Sequence, residues 1–312
     1  MDLSLCQKIV DNIRQVIVGK EEVIRLLMTG LLADGHVLLE DVPGLGKTLI
    51  AKSLAISIGG IFKRVQFTPD LLPSDITGFN VFNQQTGQFT FQPGPVMSNV
   101  LLADEVNRTI QRTQSSLLES MEERQVTVDG RTLGLSSPFF VIATQNPIEQ
   151  EGTFPLPEAQ LDRFLLRIRL GYPSREEEIA IMARFQESDP LRQLTAVATP
   201  GDIVTLQKIR RKIGVAEPIR CYIADIVRAT REEPTIRFGA SPRGALGLLR
   251  AGQAYAALQN REYVLPDDIK ALCWPVLGHR LVLREEERFR GLVADEVLKN
   301  ILERIPVPIG AT

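Results

Sequence analysis

The sequence predicts an α/β fold, a largely parallel five-stranded sheet between helical layers, followed by a smaller all-helical unit. Three observations carry this expectation. An apolar run, Val37-Leu38-Leu39, breaks into a glycine-bearing loop that ends in Gly46-Lys47-Thr48. A second apolar run, Val100-Leu101-Leu102-Ala103, delivers Asp104 and Glu105 at its end. Runs of this kind alternate with helical periodicity as far as Gly171-Tyr172-Pro173-Ser174, and the pattern beyond is predominantly helical.

Taken in order, residues 6–16 and 21–33 carry amphipathic helical patterns separated by Ile17-Val18-Gly19-Lys20. The second helix is expected to stop near Asp34-Gly35, a C-cap signal. Strands are expected near 36–40, 62–67, 99–103, 138–144 and 164–169, with helices in several of the gaps. Two hairpins interrupt the alternation. Residues 79–91 alternate aromatic and polar side chains around a glycine-bearing turn, and Asp129-Gly130 sits between alternating runs over 125–133. The first is either a protruding effector loop or an edge ribbon packed on the body. A domain boundary is expected near residue 172, giving units 1–172 and 173–312. Ser174 with Glu177 reads as a capping box, and helices are expected over Val204–Ile213, Tyr222–Thr230, Pro242–Leu258 and Asp267–Val276.

Composition narrows the chemistry. The 312 residues are 44% hydrophobic, enough for two cores. A net charge of −2 and a pI near 5.9 count against a constitutive binder of nucleic acid or anionic membranes. Arg210-Arg211-Lys212 is a small basic cluster that reads as a solvated helix face. Cys6, Cys221 and Cys273 are scattered, and His36 and His279 have no metal-ligand spacing, so a disulfide framework, a zinc site and histidine catalysis are not expected. No apolar span reaches bilayer length and the N-terminus has no leader pattern, which points to a soluble cytoplasmic protein.

The loop before Lys47 has what bound phosphates need: backbone amides, a helix N-terminus, the Lys47 point charge and a Thr48 hydroxyl for Mg²⁺. Asp41 stands where the strict phosphate-loop pattern has glycine, so the Gly44-x-Gly46-Lys47-Thr48 core carries the signal. In a parallel sheet Asp104 and Glu105 would lie beside that loop, where Asp104 could organise Mg²⁺ through its water shell and Glu105 could deprotonate an attacking water. Asn146 ends the run Phe139–Thr144 at the same sheet edge and could orient that water. Arg163 precedes the last expected strand and Arg243 opens a helix. Each reads either as an interface ion pair or as a group that stabilises transferring phosphate. Arg108 faces either a subunit interface or a nearby acid.

These residues resemble the AAA+ ATPases, and more narrowly their MoxR branch. Residues 40–48 look like the Walker A segment and Leu101–Arg108 like Walker B. The block Ala143–Phe164 is similar to the branch's sensor 1 to arginine-finger segment, and the resemblance spans essentially the whole chain. It implies a P-loop NTPase domain with inserted hairpins and a helical lid. It also implies ATP and Mg²⁺ held by Pro43, Gly44, Leu45, Gly46, Lys47, Thr48, Leu49 and Asp104, with Val18 and Gly19 against the adenine. Glu105 is then the catalytic carboxylate, Asn146 sensor 1, Arg163 the arginine finger and Arg243 the sensor 2 arginine, acting on its own or a neighbour's nucleotide. Residues 174–198 would include an insertion that displaces the lid, and both hairpins would face the pore of a ring.

The resemblance further implies a homo-oligomer, usually a hexameric ring, that remodels client protein complexes together with partners bearing von Willebrand factor A domains. Two other readings remain open at this level: a DNA-directed or transcription-linked ATPase, and a nucleotide-gated scaffold with little turnover. A small-molecule kinase has no acceptor pocket written in the chain, and a GTPase lacks an Asn-Lys-x-Asp motif.

Overall fold

The structure, a computed structural model, describes residues 3–42, 44–85, 87–146, 153–187 and 189–308. The chain opens with helices α1 (Ser4–Arg14) and α2 (Glu21–Leu32). Strand β1 (Val37–Glu40), helix α3 (Lys47–Ser57) and strand β2 (Phe62–Gln66) follow. A short helix α4 (Pro73–Thr77) leads into the hairpin of β3 (Gly78–Asn83) and β4 (Gln88–Pro93). Next come β5 (Val100–Asp104), α5 (Gln111–Glu123) and a second hairpin, β6 (Gln125–Val128) with β7 (Arg131–Gly134). Strand β8 (Phe140–Gln145), helix α6 (Glu158–Leu161) and strand β9 (Leu166–Ile168) complete the α/β unit.

Five strands form one parallel sheet in the order β2-β5-β8-β1-β9. The three inner strands are buried on both faces, which is why they read as near-continuous apolar runs. The pleat divides their side chains. Val37, Leu39, Val100, Leu102, Phe140 and Ile142 join one cluster with α1, α2 and α3, whereas Leu38, Leu101, Ala103, Val141 and Ala143 join a second with α5. Both expected hairpins form. In the second, Asp129 and Gly130 take φ +49° and +78°, the left-handed pair that a two-residue hairpin turn requires.

Beyond residue 172 lie α7 (Arg175–Glu187), α8 (Pro200–Arg210) and α9 (Glu217–Glu232). Strand β10 (Ile236–Phe238), α10 (Pro242–Leu258), α11 (Pro266–Leu277), β11 (Val282–Leu283), α12 (Glu285–Phe289) and α13 (Ala294–Arg304) complete the described chain. The helical unit also carries an antiparallel pair, β10 with β11, whose strands are too short to leave a periodic signal. Helix α10 packs directly on α2, so the first hydrophobic cluster runs without a break from Leu3 to Ile301. Gly30 makes the sandwich possible: a Cβ there would lie 2.7 Å from the Val37 side chain, so only glycine lets α2 sit this close to the sheet.

The expected stop of α2 at Asp34-Gly35 is observed, and the solvated reading of Arg210 is corrected. The left-handed residue after α2 is Asp34 at φ +57°, with the Gly35 amide closing back on the Gly30 carbonyl at 3.0 Å. Arg210 is buried rather than solvated. It donates to the carbonyls of Leu32 and Ala33 at 3.3 and 3.4 Å, and Gln207 donates to that of Leu31 at 2.8 Å. The basic side chain thus satisfies helix-end carbonyls of α2 that would otherwise be buried without donors. Burial, with Arg211 and Arg250 nearby, lowers its pKa to about 10.

His36 and His279 are both buried. His36 Nδ1 accepts from the Val141 amide at 3.0 Å, so Nε2 carries the proton and donates to the Met121 carbonyl at 3.1 Å. Burial, and then the charges of Arg124 and Arg280 respectively, hold the two imidazoles well below their usual 6.5. As pH falls, the unfolded chain therefore takes up these protons first. Stability is full above the unfolded value near 6.5 and falls below it by up to about 1.4 kcal/mol per pH unit for each imidazole. Urea unfolding at about pH 7.5 and about pH 5.5 checks this, and equal stability at the two would contradict it.

Candidate functional site

The phosphate loop joins β1 to α3. Gly44 and Gly46 take φ +88° and +82°, with nothing within 4 Å of a Cβ at either position. Glycine is needed there for backbone conformation, not for want of space. Gly46 is the N-cap of α3 and caps it with no side chain, so the first-turn amides stay available for an anion. The half-buried Lys47 ammonium donates to the Asp41 carbonyl. Burial lowers its pKa, opposed by the charges of Asp104, Asp41 and Glu105.

Asp41 replaces the expected glycine for a reason the structure supplies. Its carboxylate accepts from the Val42 amide at 3.1 Å and from the Leu170 and Gly171 amides at 2.6 and 2.8 Å. A glycine could not tie the phosphate loop to the exit of β9. Lys20 holds the same segment from the other side through the carbonyls of Gly171 and Tyr172, both at 3.0 Å.

Asp104 ends β5 beside Gln66 of β2. Glu105 follows at φ +58°, ψ +51°, a left-handed conformation that is unusual for a non-glycine residue. The buried Thr144 holds both. Its hydroxyl donates to Asp104 Oδ1 at 2.6 Å and accepts from the Glu105 amide at 2.8 Å. From the edge strand, Arg64 pairs with Asp104 Oδ2 at 2.6 Å and Gln66 donates to Glu105 Oε2 at 2.6 Å. Arg108 pairs with Glu105 at 3.0 Å, so of its two readings the nearby acid is the one observed.

Sequence reasoning missed Arg64, Gln66 and Thr144. The signal for the first two was their spacing of two at the end of a strand, which puts them on one face.

These groups surround a cavity of about 370 Å³ lined by Gly44, Gly46, Lys47, Thr48, Leu49, Arg64, Gln66, Asp104, Glu105 and Asn146. Next to it is an apolar cavity of about 340 Å³, lined by residues that include Val16, Ile17, Val18, Leu45, Ile50, Ile181 and Phe185. Gly44, Gly46 and Leu49 border both. A charged space thus continues into an apolar one. Gly19 stands at φ +64° beside Val18, with its open side taken by the Glu177 carboxylate rather than by the cavity. Pro43 and residues 147–152 of the sensor block lie outside the described residues.

The donor set fits Mg²⁺. Among the described residues no group of three or more histidines, cysteines or carboxylates could hold a metal alone. One hydroxyl and one carboxylate in a phosphate-sized cavity is what Mg²⁺ uses when nucleotide and water complete its shell.

Arg163 and Arg243 are elsewhere. They line a third cavity, of about 480 Å³, together with Asp34, Gly35, His36, Glu122, Arg124, Asp162, Arg250 and Arg280. Gly35 and His36 precede β1, and Arg163 precedes β9, so this cavity opens at the N-terminal edge of the sheet. Lys47, Asp104 and Asn146 stand at the C-terminal edge, about 13 Å away by the length of a four-residue strand. Arg163 pairs with Glu122 at 3.1 Å, and Arg243 pairs with Glu122 and, at 3.9 Å, with Asp162. The buried Arg280, which the sequence did not flag, fixes Asp162 at 2.7 Å. Within one chain, then, the two arginines converge on Glu122 and are not brought to the loop before Lys47.

Residues 36–166 match the ATPase family associated with various cellular activities (AAA), and residues 228–301 match the AAA lid domain. The chain is 50% identical over 305 residues to YeaC of Bacillus subtilis (strain 168), covering 98% of this chain and 95% of that one. It is 42% identical over 316 residues to the chaperone MoxR1 of Mycobacterium tuberculosis, covering 98% and 83%. A crystal structure from Cytophaga hutchinsonii, described as that of a candidate ATPase, superposes with a TM-score of 0.92 at 41% identity, covering 98% of this chain and 96% of that one.

Proposed function

Because the chain belongs to the MoxR family of AAA+ ATPases, we propose that it hydrolyses ATP in sites shared between neighbouring subunits of a ring. The observation that carries this reading is the split of the machinery. The phosphate cavity and the arginine pair occupy opposite edges of one sheet, so a second copy must bring its arginines to the first copy's phosphates. A ring, taken as a hexamer, satisfies every site by the same contact.

In this site the loop amides, Lys47 and Thr48 bind the β- and γ-phosphates, and the base lies against Val18. Thr48, and Asp104 through water, would hold Mg²⁺, which when bound would supply positive charge to balance that developing on the phosphate oxygens. Asn146 orients a water in line with the γ-phosphate. Glu105 accepts that water's proton as its oxygen bonds to phosphorus and the bond to the bridging oxygen breaks. Arg163 and Arg243 of the adjacent copy offer guanidinium groups to the transferring phosphate.

Residues 1–172 serve as the nucleotide-binding unit and 173–312 as the lid. Among the described residues no helix is long and apolar enough to cross a membrane, and we take the protein to act in the cytoplasm. Its output is chaperone-like remodelling of client protein complexes, with von Willebrand factor A domain proteins as partners.

Mixing two inactive variants tests the shared site. Glu105→Gln subunits retain the arginines and Arg163→Ala subunits retain the carboxylate. A one-to-one mixture should regain roughly a quarter of wild-type turnover, the share of interfaces pairing an intact carboxylate with an intact arginine. A mixture no more active than its components would sink the reading.

A further inference from the structure

We propose that Glu122 is a positioning residue that sets the two arginines a subunit presents to its neighbour, an inference that rests on the shared-site reading above. Glu122 lies in the last turn of α5. Its Oε2 takes Arg163 Nε at 3.1 Å and its Oε1 takes Arg243 Nη2. One arginine comes from the segment before β9 and the other from the first turn of α10. A single carboxylate therefore fixes the distance between two cations carried on separate parts of the fold.

Charge makes that carboxylate hard to replace. Arg124, Arg250 and Arg280 line the same cavity, so Arg163 and Arg243 sit in a field that pushes them apart. Of the other acids there, Asp34 is engaged with Arg124 at 3.0 Å, and Asp162, held by Arg280 at 2.7 Å, reaches Arg243 only at 3.9 Å. Only Glu122, among the described residues, pairs with Arg163.

Geometry indicates presentation rather than concealment. The nearest approach of Glu122 to Arg163 is at Nε, and among the described residues neither Nη group of Arg163 donates a hydrogen bond. The two-pronged end that suits a phosphate is thus left to the cavity it lines.

The mount is stiff. His36 holds the Met121 carbonyl, one residue before Glu122, at 3.1 Å. Arg124, two residues after it, is left-handed at φ +54° and donates to the carbonyls of Phe139 and, at 2.9 Å, of Asp34. The turn carrying Glu122 is thereby pinned to the starts of β1 and β8, the rigid support that a precisely aimed group needs.

The test measures arginine donation directly. Arg163→Ala subunits supply intact carboxylate sites, and three donors are compared in mixed assemblies: Glu105→Gln, Glu105→Gln with Glu122→Ala, and Glu105→Gln with Glu122→Gln. Turnover supported by the two Glu122 donors should be about 10- to 100-fold below that of the first donor, with KM for ATP unchanged, because a misaimed group costs rate rather than binding. Thermal unfolding, nucleotide affinity and assembly mass of the Glu122 variants should match those of the parent, since the ion pairs are part-exposed.

Equal or higher turnover with the Glu122 donors would overturn the inference and leave the shared site standing. Loss of assembly in both Glu122 variants would make the residue structural and also overturn it. Failure of the first donor to support any turnover would remove the shared site and this inference together.

Discussion

Replacing Glu105 by glutamine is expected to lower turnover by about 10² to 10⁴ while ATP still binds. The substitution keeps the length and planar shape of the side chain. Gln66 can still donate to the remaining carbonyl oxygen, and Thr144 still holds the backbone at φ +58°. What goes is the capacity to accept a proton from water, together with the negative charge opposite Arg108. Lys47, Thr48 and the loop amides, the groups proposed to hold the phosphates, are untouched, so affinity should change little. Single-turnover hydrolysis and fluorescent-nucleotide titration separate the two quantities. Wild-type hydrolysis in a variant that binds normally would mean that Glu105 is not the base.

Replacing Arg163 by alanine should be larger still, about 10³ to 10⁵ in turnover, the range seen when an arginine that stabilises transferring phosphate is removed. The loss cannot pass through the subunit's own phosphate cavity, because Arg163 lies at the other edge of its sheet. The diagnostic is concentration dependence. Wild-type turnover per subunit should rise with protein concentration as rings assemble, and the variant should stay low at every concentration while its assembly mass in ATP is unchanged. Turnover independent of concentration and insensitive to Arg163 would mean a self-contained site.

The parts of this fold that were legible beforehand are those that burial writes into local pattern. Strands β1, β5 and β8 are covered on both faces and appear as apolar runs, and Asp129-Gly130 announces its turn through the conformation only such residues adopt readily. The loop before Lys47 and the two carboxylates are contiguous segments, so the cavity they line together could be expected as well. What stayed hidden depends on distant partners. Arg210 looks like a solvated cation until α8 meets the end of α2, and Asp41 looks like an imperfect motif until Leu170 and Gly171 are beside it. Arg64 and Gln66 belong to an edge strand whose mixed pattern gives no hint that the face they share turns toward Asp104 and Glu105. Spacing likewise says nothing about Glu122, whose role comes from two arginines more than forty residues away in sequence.

The unbroken hydrophobic cluster from Leu3 to Ile301 has a mechanical consequence. A lid joined by a flexible neck could flap over its own nucleotide and spend the energy of hydrolysis inside one subunit. Here α2 is clamped between sheet and lid, and parting them would expose apolar surface at about 25 cal/mol for every Å². A close-packed interior transmits strain rather than absorbing it. In the ring proposed above, each subunit would therefore act as a stiff lever with its fulcrum at the joint with the next copy, and a stroke begun at one site would arrive there as rotation of one whole body against another.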